Sequence, residues 1–444
     1  MLYQCAVTGK VKKMGNIKKV LSFFLTSALV LSSFAGCASS GASSGSGKAA
    51  SEPVTLTIWG DSANEALLKS SFTAINDAFI KKYPNIKLNY QYSGSSETLQ
   101  IAMQSNSLPD LFWVYGNKTN VMAQMVGNGQ LLNLSKYNID TSRFSKESVE
   151  YATVNGGIYC SFPSFFDYAT MFYNKDIFSK YNLSIPKTWS DFENIVSTLS
   201  KNGVTPIAFG GKGEWDRYWL MQYIAPALCN DTMDALANKK SDVDYTKMVK
   251  AFDVYRDFAQ KGYLGKNYMG IDGTGAQLAF TTGKAAMTVD GTWNGQVYSK
   301  TTFKTGSFAA PGEDGKRYAQ VGPSNYNTYA VSSKTKHPDE AAKYVEFLNT
   351  KEAEQILEDN LGSVPLVKDL TLKNDSVKEL AAYDVVGYNI YNMFASVGDD
   401  NSKPQDVLLG KVLPNLMEFN TTGEQGVNQI KAEMAKKSGS SSSK

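Results

Sequence analysis

Histidine occurs once in 444 residues, as His337, and cysteine only four times, at Cys5, Cys37, Cys160 and Cys229. An imidazole-based zinc site or a Ser-His-Asp triad would have to rest on that one histidine. It lies in "KTKHPDEAAKYVEFL" beside a helix-opening Pro-Asp-Glu and reads as a surface residue, so no metal ligand set, catalytic residue or cofactor is assigned. Four cysteines make no disulfide framework. Charge of one sign is also missing. Of the 45 basic residues, five are lysines within residues 1–36, a stretch with no acid, which leaves 40 against 42 acids. No basic field remains for nucleic acid. The longest apolar run, "VLSFFLTSALVLSSFAG", is too short and too serine-rich for a membrane span. No 20–50-residue repeat marks a solenoid or propeller. The Gly-Lys pair of "TTGKAAMTVDGTWNG" is no phosphate loop. Leu278 stands where the motif needs its first glycine, and Ala285 where it needs Ser or Thr.

What is present is a soluble, aromatic-rich composition: 42% hydrophobic, 20% charged, with 25 Tyr, 22 Phe and 6 Trp. The length favours two domains over one core. Lys18 and Lys19 before the apolar run give residues 1–36 the form of a signal peptide, and "MGNIKKVL" from Met14 is already a complete signal start. "SSFAGC" resembles a bacterial lipoprotein box, with Phe34 where an aliphatic residue is usual, and implies lipidation of Cys37. Residues 37–52, Ser- and Gly-rich, read as a flexible linker reaching roughly 20 Å, and 436–444 as a disordered tail. Cys160 and Cys229 remain after export, and buried thiols are expected in preference to a pair.

Folding is expected to begin at Pro53. "VTLTIWG" alternates Val54, Leu56 and Ile58 on one face, as a strand does. Leu68, Phe72, Ile75 and Phe79 then recur at helical spacing until Pro84, and "IKLNYQY" alternates again. Strand, helix and strand imply a right-handed crossover and a parallel pair. A helix near 96–105 leads to "LPDLFWVYG", a short apolar strand. Farther on, "SDFE" within "IPKTWSDFENIVSTLSKNG" has the capping-box form, "VTPIAFG" reads as a buried strand, and "DYTKMVKAFDVYRDFAQKGYL" as an amphipathic helix. "NTYAVSS" reads as a strand, and "HPDEAAKYVEFLNTKEAEQIL" as helices.

In order, "PDLFWVYG", "GGIYCSFPSFFDYATMFYNKDIF", "IPKTWSDF", "GVTPIAFG", "AFTTGKAAMTVDGTW" and "KHPDEAAKYVEFL" resemble the extracellular solute-binding proteins of ABC sugar importers, in the maltose-binding-protein-like branch. The resemblance covers nearly all of the chain after the linker. It implies an α/β, two-lobed periplasmic-binding-protein-like fold with a ligand cleft between the lobes. Lobe 1 would be 53–165 and 312–366, and lobe 2 would be 166–311 and 367–435. The chain would cross near Phe165, Pro311 and Pro365.

Sugars offer apolar C–H faces and in-plane hydroxyls, so a sugar site needs flat rings together with carboxylates and amides. The resemblance places Trp293 in the cleft as a stacking ring, with Asn294 beside it as an amide. Trp113 falls where a lobe 1 strand reaches the cleft, with Phe112 expected on the opposite face of that strand and Asp110 fixing the loop. Asp167 lies near the first crossing, where relatives place a hydroxyl-accepting acid, and Tyr168 adjoins it. Trp215 and Asp216 occupy a loop beside the cleft in relatives, while Trp219 is expected to start a core face with Tyr223. Trp59 and Asp61 end the first strand, Trp59 fitting a core place equally well. Tyr391 comes from a late helix, and Trp189 is expected to be structural. The function implied is capture of a carbohydrate, most simply an oligosaccharide, by a monomer anchored to the outer face of the membrane, and delivery to a permease. An exported glycoside hydrolase, or a receptor for a polyamine, is the alternative.

Overall fold

A computed structural model describes residues 53–436 apart from 119, 138, 321, 324, 325, 374, 399 and 400. The expected signal peptide, Cys37, the expected linker through residue 52 and residues 437–444 lie outside the described residues. In the strand Val54–Asp61, Leu56 and Ile58 are fully buried, Thr55 before them is exposed and Thr57 between them is half-buried, the period of a half-covered strand. The helix Glu65–Lys82 buries Leu68, Phe72, Ile75 and Phe79 against it. The strands Ile86–Gly94 and Leu111–Trp113 then pair with the first on either side, both parallel. The fourth strand, Tyr329–Val331, closes the sheet antiparallel to Leu111–Trp113. The helices Pro338–Leu348 and Lys351–Leu361 return to the same core, Tyr344 and Phe347 packing edge-on against Phe79.

A second sheet has the order Thr305–Phe308, Ala169–Asn174, Ala285–Gly291, Thr205–Ala208. Every residue of Ala169–Asn174 is buried, as befits an inner strand covered on both faces. The helix Trp189–Lys201 packs here, but its cap differs from expectation. Thr188 and Asp191 form the capping box, two residues earlier than Ser190 and Glu193. Glu193 instead accepts the indole N–H of Trp189 at 3.1 Å, and Trp189 is structural as expected. Cys160 lies in the first core and Cys229 in the second, both as free buried thiols.

Between the two cores runs a third, antiparallel sheet of three short strands, Gly322–Pro323, Phe165–Asp167 and Val364–Pro365. Phe165 packs in the first core, Phe166 and Tyr168 in a smaller third cluster and Ala169 in the second core, so the chain passes between the cores over residues 165–169. The implied crossing near Pro311 is displaced. Ala310–Pro311 and Arg317–Gln320 form a hairpin, turned by Gly315 at φ +77°, which pairs onward to Val385–Gly387. Tyr318 packs against the second core, so residues 312–320, implied for lobe 1, stay on the other side.

The approach to this junction is held by a buried ion pair. Glu354, 1% exposed, accepts from Ser164 Oγ at 2.6 Å and from Arg143 Nη2 at 2.6 Å, and Arg143 also pairs with Asp369 at 2.8 Å. Burial raises the Glu354 carboxyl from 4.5 to about 7, against the opposing pull of Ser164 and Arg143. A carboxyl raised on folding stabilises the protein below its unfolded value and loses that contribution as pH rises through the folded one. Between pH 4.5 and about pH 7, Glu354→Gln should therefore show a smaller fall in melting temperature than the wild type. Parallel melting curves for the two proteins would show that Glu354 titrates as an ordinary surface acid.

Candidate ligand site

Asp167 ends the central junction strand, where it accepts hydrogen bonds from Thr292 Oγ1 at 3.1 Å and from the Tyr326 hydroxyl at 2.9 Å. Tyr326 belongs to the first core, and Thr292 follows the second-sheet strand Ala285–Gly291. Asp61 stands at the C-terminal end of the first strand, the end at which open α/β sheets place ligands. It is 1% exposed, accepts from Ala63 N and Asn64 Nδ2 at 3.0 and 2.6 Å, and is raised by burial. Its charge also acts on Tyr326. Asp61, Tyr326, Asp167 and Thr292 thus form one polar neighbourhood across the junction.

The first-core tryptophans are less open. Trp59 is half-buried against that core, and Trp113 is 2% exposed. Phe112 and Trp113 are both buried, contrary to the expected division, because their strand is internal to the sheet and covered on both faces. The exposed ring here is Tyr115, 39% exposed and edge-on to Trp113 at 4.4 Å. Tyr168 is buried, with its hydroxyl given to the carbonyl of Leu380. Asp110 holds its loop as expected, accepting from Thr57 N and Oγ1 at 2.8 and 2.7 Å.

On the second side five rings form a continuous run. Trp293, in the short helical turn Thr292–Asn294, meets Trp219 edge-on at 5.0 Å. Trp219 touches Tyr218 at 5.2 Å, Tyr218 touches Trp215 at 5.4 Å, and Trp215 touches Tyr391 at 5.1 Å. Trp215, Tyr218 and Trp219 fall three and four apart at the start of the helix Glu214–Ala237, so they share one face. Trp219 does pack on the second core, yet stays half-buried and joins Trp293. Its spacing of four from Trp215 was the signal that it belongs to this run.

The acids beneath the rings are closely held. Asp290 accepts from Gly291 N at 2.7 Å, from Asn294 Nδ2 at 3.0 Å and from the Tyr298 hydroxyl, so the Asn294 amide serves Asp290. Burial raises Asp290, and the nearby charge of Asp216 adds to it. Asp216 Oδ2 is buried without a hydrogen-bond partner. Its carboxylate sits in a glycine-walled niche, because a Cβ at Gly213 or Gly273 would come within 2.5 or 2.7 Å of its oxygens. Arg217, the one arginine in this segment, donates to the carbonyls of Gly211 and Lys212 at 2.7 and 3.1 Å. Among the described residues, no group of three or more His, Cys, Asp or Glu is placed to hold a metal.

Two α/β cores joined by a thin strand junction, with rings and acids gathered beside it, are the arrangement of a two-lobed solute-binding protein. Residues 62–355 match the model of the bacterial extracellular solute-binding proteins, and the chain belongs to that family. It is 28% identical over 301 residues to a multiple sugar-binding protein of Streptococcus mutans, covering 61% of this chain and 70% of that one. It is 24% identical over 441 residues to a galactooligosaccharide-binding protein of Bacillus subtilis, covering 94% and 99%. The fold superposes on the apo form of RafE from Streptococcus pneumoniae with a TM-score of 0.70 at 21% identity, covering 87% of this chain and 98% of that chain.

One contact decides how Trp293 is presented. Its ring lies over Gly291, where a Cβ would come within 2.1 Å of it. Gly291→Ala should therefore displace the ring, and the tryptophan emission of the folded protein should shift to the red as Trp293 leaves Trp219. An unchanged spectrum would mean that the ring does not depend on this glycine.

Proposed function

We propose that this protein captures a carbohydrate, most simply an oligosaccharide, between its two cores and delivers it to the permease of an ABC importer. The observation that carries the reading is the ring run from Tyr391 to Trp293 beside the half-buried Asp216, which combines stacking faces with a carboxylate. The names of the two relatives, one sugar-binding and one galactooligosaccharide-binding, support it. Asp61 and Asp167 serve as further hydroxyl acceptors, and Trp59 as a platform from the first side. The lobes would be residues 53–165 with the segment returning from about 326 to 366, and the rest of the folded chain. Ligand favours the closed arrangement and the permease reads that shape, so transport follows from a shift in population.

A thermal-shift screen with mono- and oligosaccharides and polyamines tests the ligand class. Ligand at ~100 times its Kd stabilises the native state by about 2.7 kcal/mol, enough to raise the melting temperature. One sugar series should respond, and Trp293→Ala should weaken its binding at least ~10-fold with little change in folding. Shifts from polyamines alone would replace the sugar with a cation.

The anchoring is proposed on the same footing: export by residues 1–36, lipid on Cys37, and attachment to the outer face of the cell membrane through the 37–52 linker. Expressed in a Gram-positive host, Cys37→Ala should move the protein from the membrane fraction to the medium. Retention of that variant on the membrane would discard the lipid.

A further inference from the structure

Asp167 is shared by two bodies. Tyr326, 6% exposed, reaches it from the first core, with its phenol donating to Oδ2 at 2.9 Å. Burial and the charges of Asp167 and Asp61 keep that phenol protonated. Thr292 reaches Oδ1 from the second sheet at 3.1 Å. Its place is fixed by Tyr168, whose carbonyl accepts from Thr292 N at 3.0 Å and whose N–H donates to Thr292 Oγ1 at 3.3 Å. With Oγ1 accepting there, its one proton is directed to Asp167. Thr292 also opens the turn that carries Trp293 and the Asn294 amide bonded to Asp290. Rotation of one core against the other moves Thr292 relative to Tyr326. The carboxylate holds both hydroxyls only over a narrow range of distance and angle.

From this geometry we infer that Tyr326 and Thr292 are positioning residues for ligand capture: acting through Asp167, they set the angle between the cores, and with it the place of Trp293, at which ligand is held. This rests on the junction being the ligand site and is independent of the ligand being a sugar. Two buried hydroxyls from different cores meeting on one carboxylate cost stability if unmatched, so the bonds define a preferred angle. A pair serving one core alone would carry no such dependence.

A double-mutant cycle on the full chain tests it, with Tyr326→Phe, Thr292→Val and the double variant. Thr292→Ser serves as the variant that keeps the hydroxyl. Calorimetry gives Kd for whichever member of the ligand panel binds the wild type. Small-angle scattering gives the radius of gyration with and without that ligand. Each single variant should bind about 10-fold more weakly, the double no worse than the weaker single, and Thr292→Ser like the wild type. The contraction on binding should shrink in both singles, while melting temperatures stay near that of the wild type. Wild-type affinity and contraction in Tyr326→Phe overturn the inference. So do additive losses that track a falling melting temperature, because they mark ordinary structural bonds. A wild type that ignores sugars and binds a polyamine refutes the carbohydrate reading, and the cycle on the polyamine then decides this one. If no panel member binds, the radius of the ligand-free variants decides: a change supports the inference, and identity with the wild type overturns it.

Discussion

Side chains at a junction between two hydrophobic cores must be satisfied by two bodies at once, and Asp167 is where this constraint is tightest. Its carboxylate takes one hydroxyl from each side at the end of a strand only three residues long. A short strand bonded on both edges resists shear, yet each of its neighbours pairs with it through only two residues. The connection is therefore stiff along the strand and weak in rotation. Gln296 adds a second tie, its amide reaching the carbonyls of Asn360 and Leu361 at 2.6 and 3.2 Å. Such ties are exposed or few, whereas the cores they join are apolar and closed, so the hinge motion proposed above would be concentrated at the junction.

The aromatic residues divide by what lies beneath them. Trp113 and Trp189 are surrounded and act as core volume. Trp215, Trp219, Trp293 and Tyr391 are half-buried and meet in two pairs, Trp215 with Tyr391 tilted at 5.1 Å and Trp219 with Trp293 edge-on at 5.0 Å. The buried ring of Tyr218 links the two half-exposed pairs and gives its hydroxyl to Gln222 and Asn389. Rings supported in this way keep a flat face without folding into the core, as stacking against a ligand requires. Gly291 does the same for Trp293 from below, since any larger residue would occupy the ring's place.

Much of this was legible because the signals were local. The alternation at Val54–Asp61 and the spacing from Leu68 to Phe79 survive intact in the fold. The strand Tyr329–Val331 could be read as a strand, but its partner Leu111–Trp113 lies over 200 residues earlier, and pairing at that range leaves no periodic mark. Phe112 and Trp113 alternate across the strand as expected, yet both are buried, because period two says which face a residue takes and not how deeply that face is covered. Thr188 competes with Ser190 for the same cap, and backbone geometry decides between them. Among the candidate residues, Trp215, Trp293 and Tyr391 stand far apart in the sequence, and the structure brings them into one run. Tyr326 was missed altogether. A tyrosine in "GPSNYNTYAV" looks like any other until the chain's return toward the first core sets it against Asp167.

Charge narrows what the junction can hold. Asp61, Asp167, Asp216 and Asp290 all lie in or beside it, and burial raises two of them. The guanidinium of the neighbouring Arg217 donates through Nη1 to two backbone carbonyls. An anionic ligand would enter against like charge at reduced dielectric, where each interaction at contact distance is worth several times its value in water. A neutral polyhydroxyl, the ligand proposed above, would bring hydrogen-bond donors to this acidic surrounding instead of like charge. Discrimination against phosphorylated ligands would then need no dedicated contact. It would follow from the use of the segment's only arginine to hold the chain.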